Sequence, residues 1–407
     1  MNTIIIGGGI SGLYMAYKLI KENPKSSITI MEKSNRLGGR IYTDPVTHFE
    51  GGAGRFHNKN KFLIELLRTF DLYDKAIEIS DDFKIIDIAK PCFRQTSSMD
   101  LILEKVLNSK TETKSELLSM KFSQYLKKHL SKSEVQYVYD FFGYSSEVRV
   151  MNAYITLKIL ESYFMKKVQY YAFIGGFSQL VDKLEKYLRE HHVKIMKKKE
   201  VQTIDYDEST NTTIINVKDQ QRQYTCDRCV LAVTKDVISQ IPMFSFLKPL
   251  LRKIELKPLC RIYMKFSNID WYGNFEKITI NNPLRYIIPI NKQQKTIMVS
   301  YTDDIYAVYW KQIFDKHGYD GLTRAIMTLL KQTFCQDIDD PISTHIYYWE
   351  QGVAYYKENF DNKKDTKKIM KPFNNREIYI CGENYSENNI AWVEGALESA
   401  NYVLSVM

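Results

Sequence analysis

The run IIIGGGISGL near the start of the chain constrains the fold more than any other feature. It sets Gly7, Gly9 and Gly12 in a GxGxxG register. Before it stands a short apolar segment, Asn2 to Ile6, which reads as a buried parallel strand. After it, Ile10, Leu13, Ala16, Tyr17 and Ile20 fall on one helical face, and Pro24 marks the end of that helix. A second apolar strand from Ile28 to Met31 closes a βαβ unit of about 30 residues. The chemistry follows from the spacing. Gly7 permits the tight turn, Gly9 lets backbone approach a pyrophosphate, and Gly12 lets helix pack on strand, while the helix N-terminus attracts phosphate charge. Glu32 lies twenty positions beyond Gly12, where a carboxylate accepts hydrogen bonds from ribose hydroxyls. Strand, glycines, helix, strand and acid in this order predict dinucleotide binding, with Ile10 and Ser11 opening the helix and Lys33 following the acid.

The rest of the chain carries no repeat and no long low-complexity linker. Residues from about 100 to 170 are helical in pattern: Leu117, Leu118, Phe122, Tyr125, Leu126 and Leu130 form one stripe, and Ile155, Ile159, Leu160 and Phe164 another. Both read as packed helical faces. From Gly175 a Gly-Gly-Phe turn leads into a helix over Ser178 to Glu190. Strands are predicted near Val193 to Ile195, Glu200 to Tyr206, Thr213 to Val217 and Cys229 to Val233. The stretch YTCDRCVLAV reads as strand, residues 254 to 310 as sheet, and Tyr319 to Phe334 as helix. A final strand, Glu377 to Cys381, precedes a helix over about Trp392 to Leu404.

Composition narrows the function. At 407 residues, with 44% hydrophobic and 26% charged residues, the chain has the make-up of a soluble globular protein of two domains or one large interleaved domain. The net charge of +9 is modest over this length. Clusters such as Lys197-Lys198-Lys199 read as solvated charges, with no nucleic-acid recognition motif beside them. Of the six cysteines only Cys226 and Cys229 are close in sequence. One CxxC without a second pair or a nearby His does not predict metal, and reduced thiols are expected. No signal peptide precedes the first strand and no apolar run spans a bilayer, so the expectation is a soluble, cytoplasmic protein without a membrane partner. Its abundance of Lys, Ile, Asn and Tyr points to an AT-rich genome.

The residues after Glu32 separate the dinucleotides. Arg36-Leu37-Gly38-Gly39-Arg40 and Phe49-Glu50-Gly51-Gly52-Ala53-Gly54-Arg55-Phe56 follow in order. Near the other end stand Ile378-Tyr379-Ile380-Cys381-Gly382-Glu383 and Ala391-Trp392-Val393-Glu394-Gly395-Ala396. On these motifs the sequence resembles the flavin-containing amine oxidase superfamily, whose wider kin include protoporphyrinogen oxidases and phytoene desaturases. The resemblance spans nearly the whole chain, with its specific motifs at the two ends.

The resemblance implies an α/β fold of two domains: a Rossmann-type FAD domain from residues 1–80, 170–245 and 375–407, and a substrate domain of sheet and helices from 81–169 and 246–374. It implies FAD as cofactor. Arg40 would support the pyrophosphate, Gly38 and Gly39 would pass close to the flavin, and Gly52, Ala53, Gly54 and Arg55 would line the next turn. The backbone of Val201 would contact adenine, and Gly382 and Glu383 the ribityl or pyrophosphate portion. Trp392, Val393 and Ala396 would set a helix N-terminus against the pyrimidine side of the flavin, where negative charge develops on reduction. The stretch Trp349 to Tyr356, where monoamine oxidases carry a flavin-linking Cys, has none, which implies non-covalent FAD. Family members place a Lys ten residues before a Trp that ends a central strand; here that position is Arg261, ahead of Trp271. Arg261 either anchors a substrate carboxylate or pairs with an acid elsewhere. Trp392 and Trp349 are candidate walls for an amine. Tyr355 and Tyr356 read as core, and His57 and Glu394 as ordinary hydrogen-bonding residues. The implied reaction is hydride transfer from a C–H bond beside nitrogen to flavin N5, with O2 as acceptor giving H2O2. Two alternatives stay open: a desaturase or protoporphyrinogen-type oxidase acting on a larger apolar substrate, and a non-catalytic FAD-binding protein.

Overall fold

The computed structural model describes every residue except 81, 89–93, 96–98 and 165–167. The last three of these belong to the predicted helical region and lie outside the described residues, as does the side chain of Phe164. The chain folds into two compact units, one of Met1–Glu78, Tyr171–Ile254 and Phe360–Met407, the other of Ile79–Tyr170 and Glu255–Asn359.

The first unit is built on a five-stranded parallel sheet. Its strands are β1 (Asn2–Ile6), β2 (Ser27–Met31), β3 (Lys194–Met196), β4 (Arg228–Leu231) and β5 (Ile378–Ile380), in the order β5-β4-β1-β2-β3. β1 is central, and its Ile4, Ile5 and Ile6 are buried, as an apolar run covered on both faces requires. Four helices matter for the site: α1 (Ile10–Glu22), α2 (Lys61–Thr69), α3 (Ser178–Glu190) and α4 (Val393–Val406). α1 packs against both α3 and α4. A separate antiparallel sheet holds Val201–Asp207, Thr212–Val217 and Gln223–Cys226.

The YTCDRCVLAV stretch is therefore two strands and not one. The chain turns at Asp227, whose carboxylate accepts a 2.6 Å bond from the amide of Asn2, while its own amide donates to the Asn2 carbonyl. Cys226 ends one sheet and Cys229 enters the other; both are buried free thiols.

In the second unit, short helices surround a core that includes Leu117, Phe122, Tyr125, Leu126 and Leu130. The predicted single stripe lies on two helices, Lys114–Ser119 and Phe122–His129. Capping boxes at Thr113 with Glu116 and at Ser131 with Glu134 start the helices around it. A seven-stranded mixed sheet runs in the spatial order Ser343–Tyr356, Ile254–Lys265, Thr296–Asp303, Tyr286–Asn291, Lys277–Ile280, Phe83–Ile86, Arg94–Gln95. Sheet was predicted to residue 310 and helix from Tyr319, but the helix begins at Asp304 and runs to Phe334. Ala307, Trp310, Leu322, Ile326 and Leu330 turn toward the core at helical spacing, and the Trp310 indole donates to the Pro283 carbonyl at 2.9 Å. Gly318 interrupts it with φ 62°, a conformation glycine adopts without steric cost. Among the described residues no helix is long and apolar enough to cross a membrane.

Candidate functional site

The glycine turn after β1 is shaped by contacts that leave no room for side chains. Gly7 has φ 106°, its amide donates to the Met31 carbonyl at 2.8 Å, and a Cβ there would lie 2.4 Å from the Ala232 carbonyl oxygen. A Cβ on Gly12 would lie 2.1 Å from the Gly7 oxygen, so this residue seats α1 on the sheet. Gly9 differs: a Cβ there would meet nothing nearer than the Gly39 Cα at 4.0 Å. The turn is thus open at the one glycine whose backbone would face a ligand. Gly9 is also the N-cap of α1, which has no side-chain cap and no acid in its first turn, while Ile10 and Ser11 are buried there. Such an end presents amides and a positive dipole to an anion.

The second glycine segment lies directly on the first. The Gly38 amide donates to the Gly8 carbonyl at 2.8 Å, and Gly9 and Gly38 form a parallel bridge. Arg36 holds this loop closed, donating to the carbonyls of Leu37 (3.0 Å), Ile41 (3.2 Å) and Gly39 (2.6 Å). Glu32 is buried, and each carboxylate oxygen accepts one amide, Gly8 at 2.7 Å and Ser34 at 2.8 Å. Each oxygen keeps acceptor capacity for a ribose hydroxyl. Lys33 is exposed. The Lys199 amide donates to the Glu32 carbonyl at 2.8 Å, which brings the strand opening at half-buried Val201 beside the acid.

Residues predicted separately are joined here. Arg40 pairs with Glu383 at 2.9 Å; Glu383 also accepts the Asn384 side chain at 2.8 Å and the Ala391 amide at 2.6 Å. The Arg40 side chain is 30% exposed and the Glu383 side chain 7%, so the guanidinium is anchored at one end and open at its rim. The Ala53 amide donates to the Arg40 carbonyl at 3.0 Å, and a Cβ on Gly52 would overlap that same oxygen. Gly54 and Arg55 continue the segment, half-buried. Glu50 fastens it by accepting the Phe177 amide ahead of α3 at 2.7 Å and the Thr43 hydroxyl at 3.0 Å.

At the other end, the Gly382 amide donates to the Ser399 hydroxyl at 2.9 Å, and that hydroxyl donates to the Ala396 carbonyl at 3.0 Å, which links β5 to α4. Trp392 is the N-cap of α4 and provides no side-chain cap, so the first turn from Val393 also presents amides. The Trp392 ring is half-buried, with the His57 ring edge-on at 4.9 Å and the Arg55 guanidinium 5.6 Å from its centroid. The Lys59 amide donates to His57 Nδ1 at 3.2 Å, and Nε2 lies 3.3 Å from the Asn60 side-chain nitrogen. Burial, then Arg55 and Lys59, push its pKa down to about 4, so the ring is neutral at physiological pH. Glu398 orders the loop before α4 by accepting Ser386 and the side chains of Asn388 and Asn389.

Arg261 and Trp349 belong to the second unit. Arg261 is half-buried with its guanidinium 4.5 Å from the centroid of Tyr301, its cross-strand neighbour. Burial opposes its charge, but the oxygens of Tyr301 and Tyr263 outweigh that and hold it a cation. Tyr301 in turn packs edge-on against Tyr144 at 5.4 Å. Trp349 is half-buried in the long edge strand, whereas Tyr355 and Tyr356 are buried, the former 3.4 Å from Asp303 through its hydroxyl.

Taken together, the first unit offers two helix N-termini without side-chain caps, an acid beside the first and an open glycine at its N-cap, which fits a dinucleotide flavin. Arg36, Glu50 and Glu398 were not among the predicted residues. Arg36 acts through carbonyls of its own loop, Glu50 on an amide 127 residues away and Glu398 on side chains of the loop just before α4; only Arg36 and Glu50 lie inside quoted motifs that could have drawn attention to them.

Comparisons agree with this geometry. Residues 10–403 match the family described as flavin containing amine oxidoreductase. Over 81 residues the chain is 35% identical to achacin of Lissachatina fulica, a stretch covering 18% of this chain and 15% of achacin. Over 89 residues it is 28% identical to an L-amino-acid oxidase of Neurospora crassa, covering 22% of this chain and 12% of that protein. Among solved structures, cyclohexylamine oxidase from Brevibacterium oxydans IH-35A has the same fold at 16% identity and TM-score 0.78, over 100% of this chain and 98% of that one. A putrescine oxidase bound to putrescine does so at 15% and 0.79, over 100% and 98%. A protein of Exiguobacterium sp. 255-15 assigned as a protoporphyrinogen oxidase does so at 15% and 0.75, again over 100% and 98%. The chain belongs to the flavin-containing amine oxidoreductases, and it is an FAD-dependent oxidoreductase.

Proposed function

We propose that the protein oxidises a small amine or amino acid, with O2 as final acceptor and H2O2 as product. The observation that carries this reading is Trp392, a half-buried aromatic ring standing at the uncapped helix end of the cofactor cradle, braced by His57 and Arg55. When bound, FAD supplies a two-electron acceptor for a C–H bond beside nitrogen. The protein would supply orientation: Arg40, anchored by Glu383, and the α1 N-terminus would hold the phosphates, and the α4 N-terminus would offset negative charge. Neutral His57 beside Trp392 adds no positive charge against an incoming amine. A flat ring at this place orients the neutral amine, so no general base is required.

Arg261, a cation held by Tyr301 and Tyr263, is our candidate anchor for a substrate carboxylate. This supports an amino acid over a simple polyamine, and the partial likeness to an L-amino-acid oxidase agrees. We read FAD as non-covalently held and the site residues as those named above. The test is H2O2 release from the FAD-loaded protein against monoamines, polyamines and amino acids. Turnover of an amino acid, reduced at least about tenfold in kcat/KM by Arg261→Gln, is expected. Reduction of the flavin only by a large apolar substrate, with no nitrogen beside the oxidised carbon, would replace this reading with the desaturase-like one.

A further inference from the structure

We propose that Glu394 is a positioning residue whose carboxylate clamps the N-terminus of α2 to the first turn of α4 and thereby sets the Trp392 ring. The geometry is bidentate. One oxygen accepts the Phe62 amide and the other the Leu63 amide, each at 2.9 Å, across more than three hundred residues of sequence. α2 has Asn60 at its N-cap without a side-chain cap, because Asn60 is turned back on His57. Glu394 supplies the cap instead. It stands two positions after Trp392, and the segment it holds runs through Asn60 to His57, whose ring packs on Trp392. The clamp therefore closes a ring of contacts: Glu394 to α2, α2 through Asn60 to His57, His57 to Trp392, and Trp392 along the chain to Glu394.

The same carboxyl is placed to respond to pH. It is buried, and burial pushes its pKa up to about 7, against the pull of the Leu63 and Phe62 amides and with a further push from Glu398. The other groups facing it are the Tyr14 phenol of α1 and, through that phenol, Glu65 of α2. Arg55 and Lys59 flank His57. The closed clamp holds the proton more tightly than an exposed carboxyl does, so protonation favours the closed state and ionisation of the buried group favours its opening. The clamp itself is independent of the substrate reading, while its effect on turnover rests on the role proposed above for Trp392.

Amide hydrogen exchange of the FAD-loaded protein tests it without turnover. After correction for intrinsic rates, the peptide holding Phe62 and Leu63 is expected to exchange about tenfold faster at pH 8 than at pH 6. The Trp392 contribution to near-ultraviolet circular dichroism, wild type minus Trp392→Phe, should change over the same range. Glu394→Gln should exchange at the same rate at both pH values and lose the Trp392 transition. Equal protection of wild type at the two pH values, a transition persisting in Glu394→Gln, or altered exchange with an unmoved Trp392 signal would each overturn the proposal. Should Glu394→Gln fail to fold, the two wild-type measurements decide alone. If no amine is turned over but both signals titrate, the clamp stands and only the substrate reading falls.

Discussion

At the scale of single residues, the candidate cofactor cradle is built on a few charges held by partners far away in sequence. Arg40 and Glu383 are 343 positions apart, yet each fixes the other. Glu383→Gln leaves Arg40 without its anchoring charge, and FAD affinity should fall by about ten- to a hundredfold, read by titrating apoprotein with FAD. Gly12→Ala places a Cβ 2.1 Å from the Gly7 oxygen, so soluble FAD-loaded protein should be lost altogether. Two buried groups oppose each other in their pH response. His57 is depressed from 6.5 to about 4 in the folded protein, so the stability it contributes is complete above 6.5 and drains as pH falls toward 4. Glu394 is raised from 4.5 to about 7, so its contribution is complete below 4.5 and drains as pH rises toward 7. The two slopes oppose each other between pH 4.5 and 6.5, so removing either group should tilt the urea-unfolding profile. His57→Phe should uncover stability that falls by about 3 kcal/mol between pH 4.5 and 7, and Glu394→Gln the reverse slope. A steep wild-type profile, unchanged in both variants, would contradict this.

At the scale of elements, ends matter more than middles. α1 and α4 begin without side-chain caps, while α2 and the turn into α3 are capped by carboxylates from distant segments, Glu394 and Glu50. Removing Glu50 as Glu50→Ala frees the Phe177 amide and the Thr43 hydroxyl, and should cost about 1–3 kcal/mol of stability in denaturant unfolding while loosening FAD binding. The helix broken at Gly318 offers a milder test. A side chain at φ 62° is strained even though a Cβ there meets nothing within 4 Å, so Gly318→Ala should destabilise by about 1 kcal/mol. These element boundaries were only partly legible. The 3.6-residue and continuous apolar patterns of β1, α1, β2 and α3 stand out because one face or both are buried. The start of the helix at Asp304 did not, because residues 304–310 mix aromatic and β-branched side chains that suit strand and helix alike. Asp227 likewise splits an unbroken strand-like run, because its partner, Asn2, lies at the other end of the sequence.

At the scale of the whole molecule, the first unit is assembled from three separate segments and the second from two. The first ought therefore to depend on its ligand for stability. FAD at a hundred times its Kd should raise unfolding free energy by about 2.7 kcal/mol, seen as a higher Tm that depends on added FAD. The non-covalent reading predicts that denatured, precipitated protein leaves its flavin in the supernatant; flavin retained on the denatured chain would refute it. What the sequence determined by itself was the local grammar of the candidate cofactor site: a glycine turn, an acid at the end of the second strand, and a helix start in register with both. These are encoded within some thirty neighbouring residues at a time, so spacing alone reveals them. Only the tertiary structure decided which loops those motifs would meet. Arg40 found Glu383, Arg36 found its three carbonyls, and Glu394 found the end of α2. Such pairings are set by how the sheet and helices close on one another, and no periodicity along the chain records them.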